Sequence, residues 1–243
     1  MRNLLIYLSF KYEGNNFYIW KALKQKEKIN LDDVNLFLKT LEQEHIKVTT
    51  IYDDDYPEVL KKYDALPYVI FYKGDLNILN NKIIALSGDS LDENSLNFLN
   101  NSLPIFSKNN ALIIGSYKAL EKNIIEYYRK NDKHIIHVLA SGFDFFNQEI
   151  KENELYITQY PIGCNIKFDR LREKNSIIAK IAESLVIYNS NIKSSIQNMV
   201  TYFTQYGKEV YCYPSLNEND GNFALIRDGA QIIENSIEIC YYL

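Results

Sequence analysis

Three stretches of this chain carry polar residues at spacings from which anion chemistry could be built. In Ser87-Gly88-Asp89-Ser90 a glycine follows directly on an apolar run, and a position without a side chain lets a phosphate approach the backbone. A single glycine is a weak phosphate signal, and on spacing alone a strand-to-loop turn is the better explanation. In Ile187-Tyr188-Asn189-Ser190-Asn191, running on to Lys193-Ser194-Ser195, a strand is followed by polar residues and a helix start, whose unpaired amides attract anions. Ser194 and Ser195 serve equally well as helix caps. In Asp220-Gly221-Asn222-Phe223-Ala224-Leu225-Ile226-Arg227-Asp228-Gly229-Ala230 two glycines flank a short helical-looking segment. Turn-making explains the glycines; it explains less well why Asn222 and Arg227 accompany them.

The inventory for catalysis is thin. His134 and His137 lie three apart in one strand, which sends them to opposite faces and prevents a shared metal. Ser141-Gly142 ends that strand, but no G-x-S-x-G elbow and no base accompany it. Cys164 has no nearby histidine in sequence and reads as an idle thiol. The acidic run Asp53–Asp55 lacks the alternating ligands and central glycine of a calcium loop and reads as a turn. No enzyme activity, cofactor or metal is expected.

The elements that position these residues follow from apolar patterning. Of 243 residues, 47% are hydrophobic and 24% charged, which suits a globular protein with a real core. The formal net charge of −4 means that any grip on phosphates must be local. Three cysteines far apart suggest neither a disulfide framework nor a zinc knuckle, and fit a reducing cytoplasm. The opening run Leu4–Phe10 is too short to span a membrane and has no cleavage site, so no targeting or membrane segment is expected. From about Phe17 to Lys47, Leu31, Val34, Phe37, Leu38 and Leu41 recur at helical spacing, with Asn30 or Asp32 as cap. This predicts a small helical N-terminal unit over residues 1–47.

Residues 48–243 then alternate apolar runs with amphipathic segments. Strands are predicted at Val48–Tyr52, Tyr68–Tyr72, Lys82–Ser87, Ala111–Ile114, His134–Leu139, Leu155–Gln159, Leu185–Tyr188 and Val210–Tyr213. Helices are predicted at Ser95–Asn101, Leu120–Arg129, Arg172–Ala182 and Ser194–Tyr206. Continuous apolar strands such as Ile83-Ile84-Ala85-Leu86 require burial on both sheet faces. The expected fold is α/β and Rossmann-like, a mostly parallel sheet with helices on both faces.

The wording of several segments is more specific than their periodicity. Asp55-Tyr56-Pro57-Glu58-Val59-Leu60, Asp64-Ala65-Leu66-Pro67 and Phe71-Tyr72-Lys73-Gly74-Asp75-Leu76 resemble a D-x-x-Y-P-x-x-L segment leading to P-P-x-L-F-x-K-G. Gly142-Phe143-Asp144, Gln159-Tyr160-Pro161-Ile162-Gly163 and Asn175-Ser176-Ile177-Ile178-Ala179 resemble G-L-D, S-E-Y-P-P-G and R-N-R-I-I-A. Gly207-Lys208-Glu209-Val210-Tyr211-Cys212-Tyr213-Pro214 and Gly221-Asn222 with Leu225-Ile226-Arg227-Asp228-Gly229-Ala230 resemble G-R-x-V-x-A-V-P-G and G-x-N-x-L-I-x-D-G-A. In order and spacing these resemble the DNA-processing protein A (DprA/Smf) family over about Val48 to Ile233.

The resemblance implies a cytoplasmic single-stranded-DNA binder, acting as a homodimer in natural transformation and handing the strand to the RecA recombinase without catalysis. It implies contacts at Gly88, Ser90, Lys174, Asn175, Ser176, Lys193, Ser194, Ser195, Gly221 and Asn222. The chain departs from the family pattern at several of them. The G-S-R turn falls on Gly88-Asp89-Ser90, so an arginine is lost and an acid added; R-N-R becomes Lys174-Asn175-Ser176, and S-G-S-L becomes Ser194-Ser195-Ile196-Gln197. The S-G-x-A-x-G-I-D segment, at Gly115 to Lys122, is nearly unrecognisable. Weakened DNA binding is expected, with Asp89 repelling phosphate and Lys118, Lys122, Lys174 and Lys193 rebuilding a basic rim. A different class of function, binding or hydrolysing a nucleotide derivative, is the alternative that a Rossmann-like sheet leaves open. A third is the loss of DNA binding with only protein contacts retained.

Overall fold

A computed structural model describes residues 1–146, 149–215 and 220–242, the side chains of 240–242 excepted. The chain forms two compact units, residues 1–76 with 139–171, and residues 77–138 with 172–243.

The first unit opens with helices α1 (Arg2–Lys11), α2 (Asn16–Lys24) and α3 (Leu31–Gln43). Asn15 caps α2 by accepting from the amides of Phe17 and Tyr18, and Asn30 caps α3 by accepting from Asp32. Strand β1 (Lys47–Thr50), the short helix α4 (Glu58–Lys61) and strand β2 (Val69–Lys73) follow, and β6 (Glu154–Thr158) pairs antiparallel with β2. The family-like wording is structural here. The Tyr56 hydroxyl donates to the Pro67 carbonyl at 2.6 Å, and the Thr49 hydroxyl donates to Asp55 at 2.6 Å. Gly74 has φ +104, and a Cβ on it would meet the backbone of Glu154 and Leu155, so the turn after β2 requires glycine. Leu5, Leu8, Ile19, Phe37, Phe71 and Tyr156 pack together in the core of this unit.

The second unit contains β3 (Ile83–Ser87), α5 (Glu93–Asn109), β4 (Ala111–Ile114), α6 (Ala119–Lys130) and β5 (Ile135–Val138). After α7 (Phe168–Ile181), whose first residues belong to the other unit, come β7 (Ser184–Ile187), α8 (Ile196–Gln205), β8 (Glu209–Cys212), α9 (Gly221–Arg227), β9 (Gln231–Ile232) and α10 (Ser236–Tyr242). Its strands run β5-β4-β3-β7-β8-β9, every pair parallel. Both faces of this sheet are covered, as the continuous apolar strands require. One face packs Ile84, Leu86, Leu112, Ile114 and Val186 against Leu99, Leu103 and Phe106 of α5, Ile124 and Tyr128 of α6, and Ile239 of α10. Ile177, Ile178 and Ile181 of α7, with Ile196 and Phe203 of α8, are buried outside that cluster.

The mostly parallel α/β fold expected from the sequence is therefore present, with strand ends within a residue or two of expectation. Several elements differ: strand β9 and helices α4 and α10 form where no element was expected, and α7 starts four residues before the expected Arg172. Helix α1 forms from an opening run that carried no clear helical signal, and buries Leu5, Ile6 and Leu8. Helix α5 continues through Pro104 to Asn109, eight residues past the expected end at Asn101. A proline inside a helix normally ends it, but Leu103 and Phe106 beyond the expected end are buried at 2% exposure or less. Their packing outweighs one missing backbone hydrogen bond.

Candidate functional site

The strand order of the second unit reverses at β3. Connections run outward through β4 to β5 on one side and through β7 to β8 and β9 on the other. In open α/β sheets ligands bind at such a switch point, beyond the carboxyl ends of the two strands, where the following loops diverge. Here those loops are Gly88–Asp92 after β3 and Tyr188–Ser195 after β7.

Asn189 ties the two loops together. Its side-chain oxygen accepts from the amides of Asp89 at 2.9 Å and Ser90 at 3.1 Å. Its amide nitrogen donates to the Ser90 carbonyl at 2.8 Å and the Asp92 carboxylate at 2.9 Å. Asp92 in turn caps α5, accepting from the Ser95 amide at 2.8 Å while the Ser95 hydroxyl accepts from the Asp92 amide at 2.9 Å. The Ser95 amide bond, first among several, holds the Asp92 carboxyl below its ordinary pKa. In sequence Asn189 is one of a polar run at the end of a buried strand, and its partners lie about a hundred residues away.

Asp89 does not face outward as a free acid. Its side chain is only 8% exposed; it accepts from the Asn191 amide at 2.8 Å and pairs with Lys118 at 3.0 Å. Burial raises its pKa, but the bonds from Asn191, Ser194 and Lys118 outweigh burial and hold it below the ordinary value. The repulsion expected of Asp89 is thus largely neutralised in place. Lys118, expected to serve a basic rim, is the residue that does it.

Lys174 and Asn175 lie behind the loops. Lys174 is 6% exposed, and its ammonium donates to the Gly115 carbonyl at 2.5 Å. Burial lowers its pKa to about 8, with Glu121 acting in the opposite sense. A Cβ on Gly115 would lie 2.9 Å from the Lys174 chain, so the glycine makes room for the lysine. Glu121, itself 2% exposed, accepts from the Ser87 hydroxyl at 3.2 Å, and burial raises its pKa. Asn175 donates to the Asn198 side chain on α8 at 3.2 Å, and Ser176 bonds the Tyr206 hydroxyl at the far end of α8 at 2.8 Å. These residues brace helices and turns.

The third stretch behaves similarly. Asp220 caps α9 by accepting from the Phe223 amide. Asn222 is 2% exposed; it accepts from the Ser190 hydroxyl at 2.8 Å and donates to the carbonyls of Tyr188 at 3.2 Å and Tyr213 at 3.0 Å. It locks the ends of β7 and β8 together, which accounts for the Asn that glycine turns alone did not explain. Any side chain at Gly221 would run into Ser190 and Asn191. Arg227 pairs with neighbouring Asp228 at 3.5 Å, outside this network.

Of the ten positions named from the sequence, Ser90, Lys193 and Ser195 are exposed. Ser194 is half-buried and accepts from the Ile196 amide at 3.0 Å at the start of α8. Gly88 is buried, and a Cβ there would lie 2.6 Å from Leu120 and 3.1 Å from Asn189. Lys193 makes no hydrogen bond or ion pair among the described residues. Ser176 is half-buried and bonded to Tyr206 at the end of α8.

The other sequence candidates take structural roles. His137 is buried and bonds the Tyr117 hydroxyl at 3.0 Å. Asp53 accepts from Arg2 and from the Thr50 amide, both at 2.9 Å, as a turn former. Burial pushes the Cys164 thiol up to about 11 and the Cys212 thiol up to about 12, which disfavours the thiolate. Among the described residues no group of three or more His, Cys, Asp or Glu is placed to hold a metal ion. No helix among them is long and apolar enough to cross a membrane.

Comparison with known proteins adds a family. The profile described as DNA recombination-mediator protein A matches residues 47–243. The Smf protein of Synechocystis is 21% identical over 214 residues, which are 81% of this chain and 54% of that protein; the chain thus spans about half that relative's length. The DNA processing protein DprA of Streptococcus pneumoniae is 22% identical over 232 residues, covering 90% of this chain and 80% of that protein. The X-ray structure of S. pneumoniae DprA superposes with TM-score 0.72 at 18% identity, covering 98% of this chain and 92% of that one. Helicobacter pylori DNA processing protein A, described for its single-stranded-DNA binding mode, gives TM-score 0.70 at 18% identity, covering 82% of this chain and 96% of that one.

Proposed function

Because the chain belongs to the DNA recombination-mediator protein A family, we propose that it binds single-stranded DNA at the β3–β7 switch point, as an accessory protein of DNA uptake and recombination. The observation that carries this reading is Lys193. It is exposed at the start of α8, beside the crevice where the sheet topology expects a ligand, and its charge is uncommitted. Exposed Ser195 adds a hydroxyl near it in sequence, while the Ser90 hydroxyl donates to Asp92 at 3.2 Å; backbone amides at the α8 start favour a phosphate. Lys174, Asn175, Gly221 and Asn222 contribute by holding the loops in place.

Binding on this reading is weak, since Lys118 is occupied by Asp89 and few cations remain at the crevice. Homodimer formation and delivery of the strand to RecA are further parts of the proposal that rest on the family resemblance; light scattering on the purified protein and co-purification with RecA address them. The reading includes no catalytic step.

The direct test is fluorescence anisotropy of a labelled single-stranded oligonucleotide, titrated with salt against a duplex control. Lys193→Glu should weaken binding about ten-fold at low salt and flatten the salt dependence by about 0.7 or more in log–log slope. Oligonucleotide binding that is unchanged in Lys193→Glu would place the interface elsewhere.

A further inference from the structure

The first unit carries a surface that the crevice does not use. Helix α2 buries Ile19 and Ala22 at 1% and 2% exposure, while Phe17, Trp20, Lys21 and Lys24 fall at i, i+3, i+4 and i+7 along its opposite side. Phe17 is 62% exposed, Trp20 42% and neighbouring Tyr18 51%. Their rings form a connected group. Phe17 lies 6.1 Å from Trp20 and 5.5 Å from Tyr18 between centroids, and the Lys24 ammonium sits 4.2 Å over the Trp20 ring. Lys26 and Lys28 follow in the exposed turn after the helix. The acid nearest in sequence, Glu27, is already paired with Lys11 and accepts from the Tyr12 hydroxyl, both at 2.5 Å.

We infer that the α2 face formed by Phe17, Trp20, Lys21 and Lys24 is a stacking platform for the bases of a single-stranded nucleic acid, separate from the β3–β7 crevice. Exposed aromatic rings interleaved with lysines are the chemistry of sequence-tolerant strand binding, in which bases stack on rings while ammonium groups track the phosphates. Packing gives no reason for these rings to face water, because the aliphatic residues of α2 already fill the core side. Aromatic rings beside lysines also suit a lipid interface, so anionic vesicles are included as a competing probe; the Phe17–Trp20 ring pair with an ammonium over Trp20 favours bases. The helix lies outside residues 47–243, which the family profile matches.

Trp20 is the only tryptophan in the protein, so intrinsic tryptophan emission reports on this face alone. Adding an oligothymidylate of about 16 nucleotides to the full chain should quench that emission in a salt-reversible way. Quenching should persist in Lys193→Glu, which separates this inference from the crevice reading. Lys21→Glu with Lys24→Glu should abolish it, and Phe17→Ala should weaken it about ten-fold. All three residues are exposed, so the far-ultraviolet circular dichroism of the variants should match wild type. Oligonucleotide binding seen by anisotropy with no change in Trp20 emission would overturn the inference. So would quenching that survives the double lysine reversal, no response to oligonucleotide by either method, or an emission shift produced by anionic phosphatidylglycerol vesicles and not by oligonucleotide.

Discussion

A carboxylate beside an anion site ordinarily repels the anion, but the outcome depends on what else the carboxylate holds. Asp89 holds the Asn191 amide and Lys118, and is nearly covered. Asp89→Asn keeps an acceptor for the amide but releases Lys118 as a free cation. Anisotropy should then show tighter oligonucleotide binding at low salt and a log–log slope steeper by about 0.7, while stability falls by about 1–2 kcal/mol from the weakened hydrogen bonds. Unchanged or weaker binding in Asp89→Asn would mean that Lys118 does not face the strand. Lys174 makes the opposite case, a cation named as a contact but spent on the Gly115 carbonyl. Its folded pKa of about 8 lies below the ordinary lysine value of 10.5, so between those pH values the unfolded chain binds more protons and stability from this group rises with pH. The stability of wild type relative to Lys174→Met, from urea denaturation, should therefore increase by about 2 kcal/mol between roughly pH 7.5 and 9.5. A flat difference would show that Lys174 is solvated rather than buried. The thiols titrating above that range are common to both proteins and cancel.

Among the elements, the loops after β3 and β7 act as one unit because a single side chain bonds both. Asn189 accepts two amides and donates to the Ser90 carbonyl and to the carboxylate that caps α5. Asn189→Ala leaves the Asp89 amide with the Asn189 carbonyl alone, at 3.2 Å, and removes the brace on the α5 cap. A loss of about 2 kcal/mol is expected, seen as a fall of roughly 4–8 °C in Tm by calorimetry, accompanied by weaker oligonucleotide binding. A Tm within a degree of wild type would show that the loops are held by other contacts. Helices at this scale were legible where capping residues and apolar spacing agreed, as at Asn30 and α3. They were cut short where burial extended them: α5 runs past the expected end at Asn101 and through Pro104, with Leu103 and Phe106 filling the core beside β3 and β4.

For the whole molecule, the formal net charge of −4 offers no general attraction to a polyanion, so any nucleic-acid binding must come from local cations. The two proposed sites each lie within their own compact unit: the start of α8 with Lys193, and the α2 face with Lys21 and Lys24. Neither needs the chain as a whole to be basic.

The α/β class, five of the six strands of the parallel sheet to within a residue or two, and membership of the family were legible from sequence alone, because continuous apolar runs and the order of short turn motifs are local properties; the exposed two-residue β9 carried no such run. The sequence also named candidate contact residues, several of which the fold buries as braces. It could not say which of them face solvent. That was decided by strand order, which sets β3 against β7 across about a hundred residues of chain and lets Asn189, Asp89 and Lys118 satisfy one another. Whether a lysine reaches a phosphate or a buried carbonyl depends on what lies opposite it in space, and residues as close in sequence as Lys174 and Lys193 meet opposite fates for that reason.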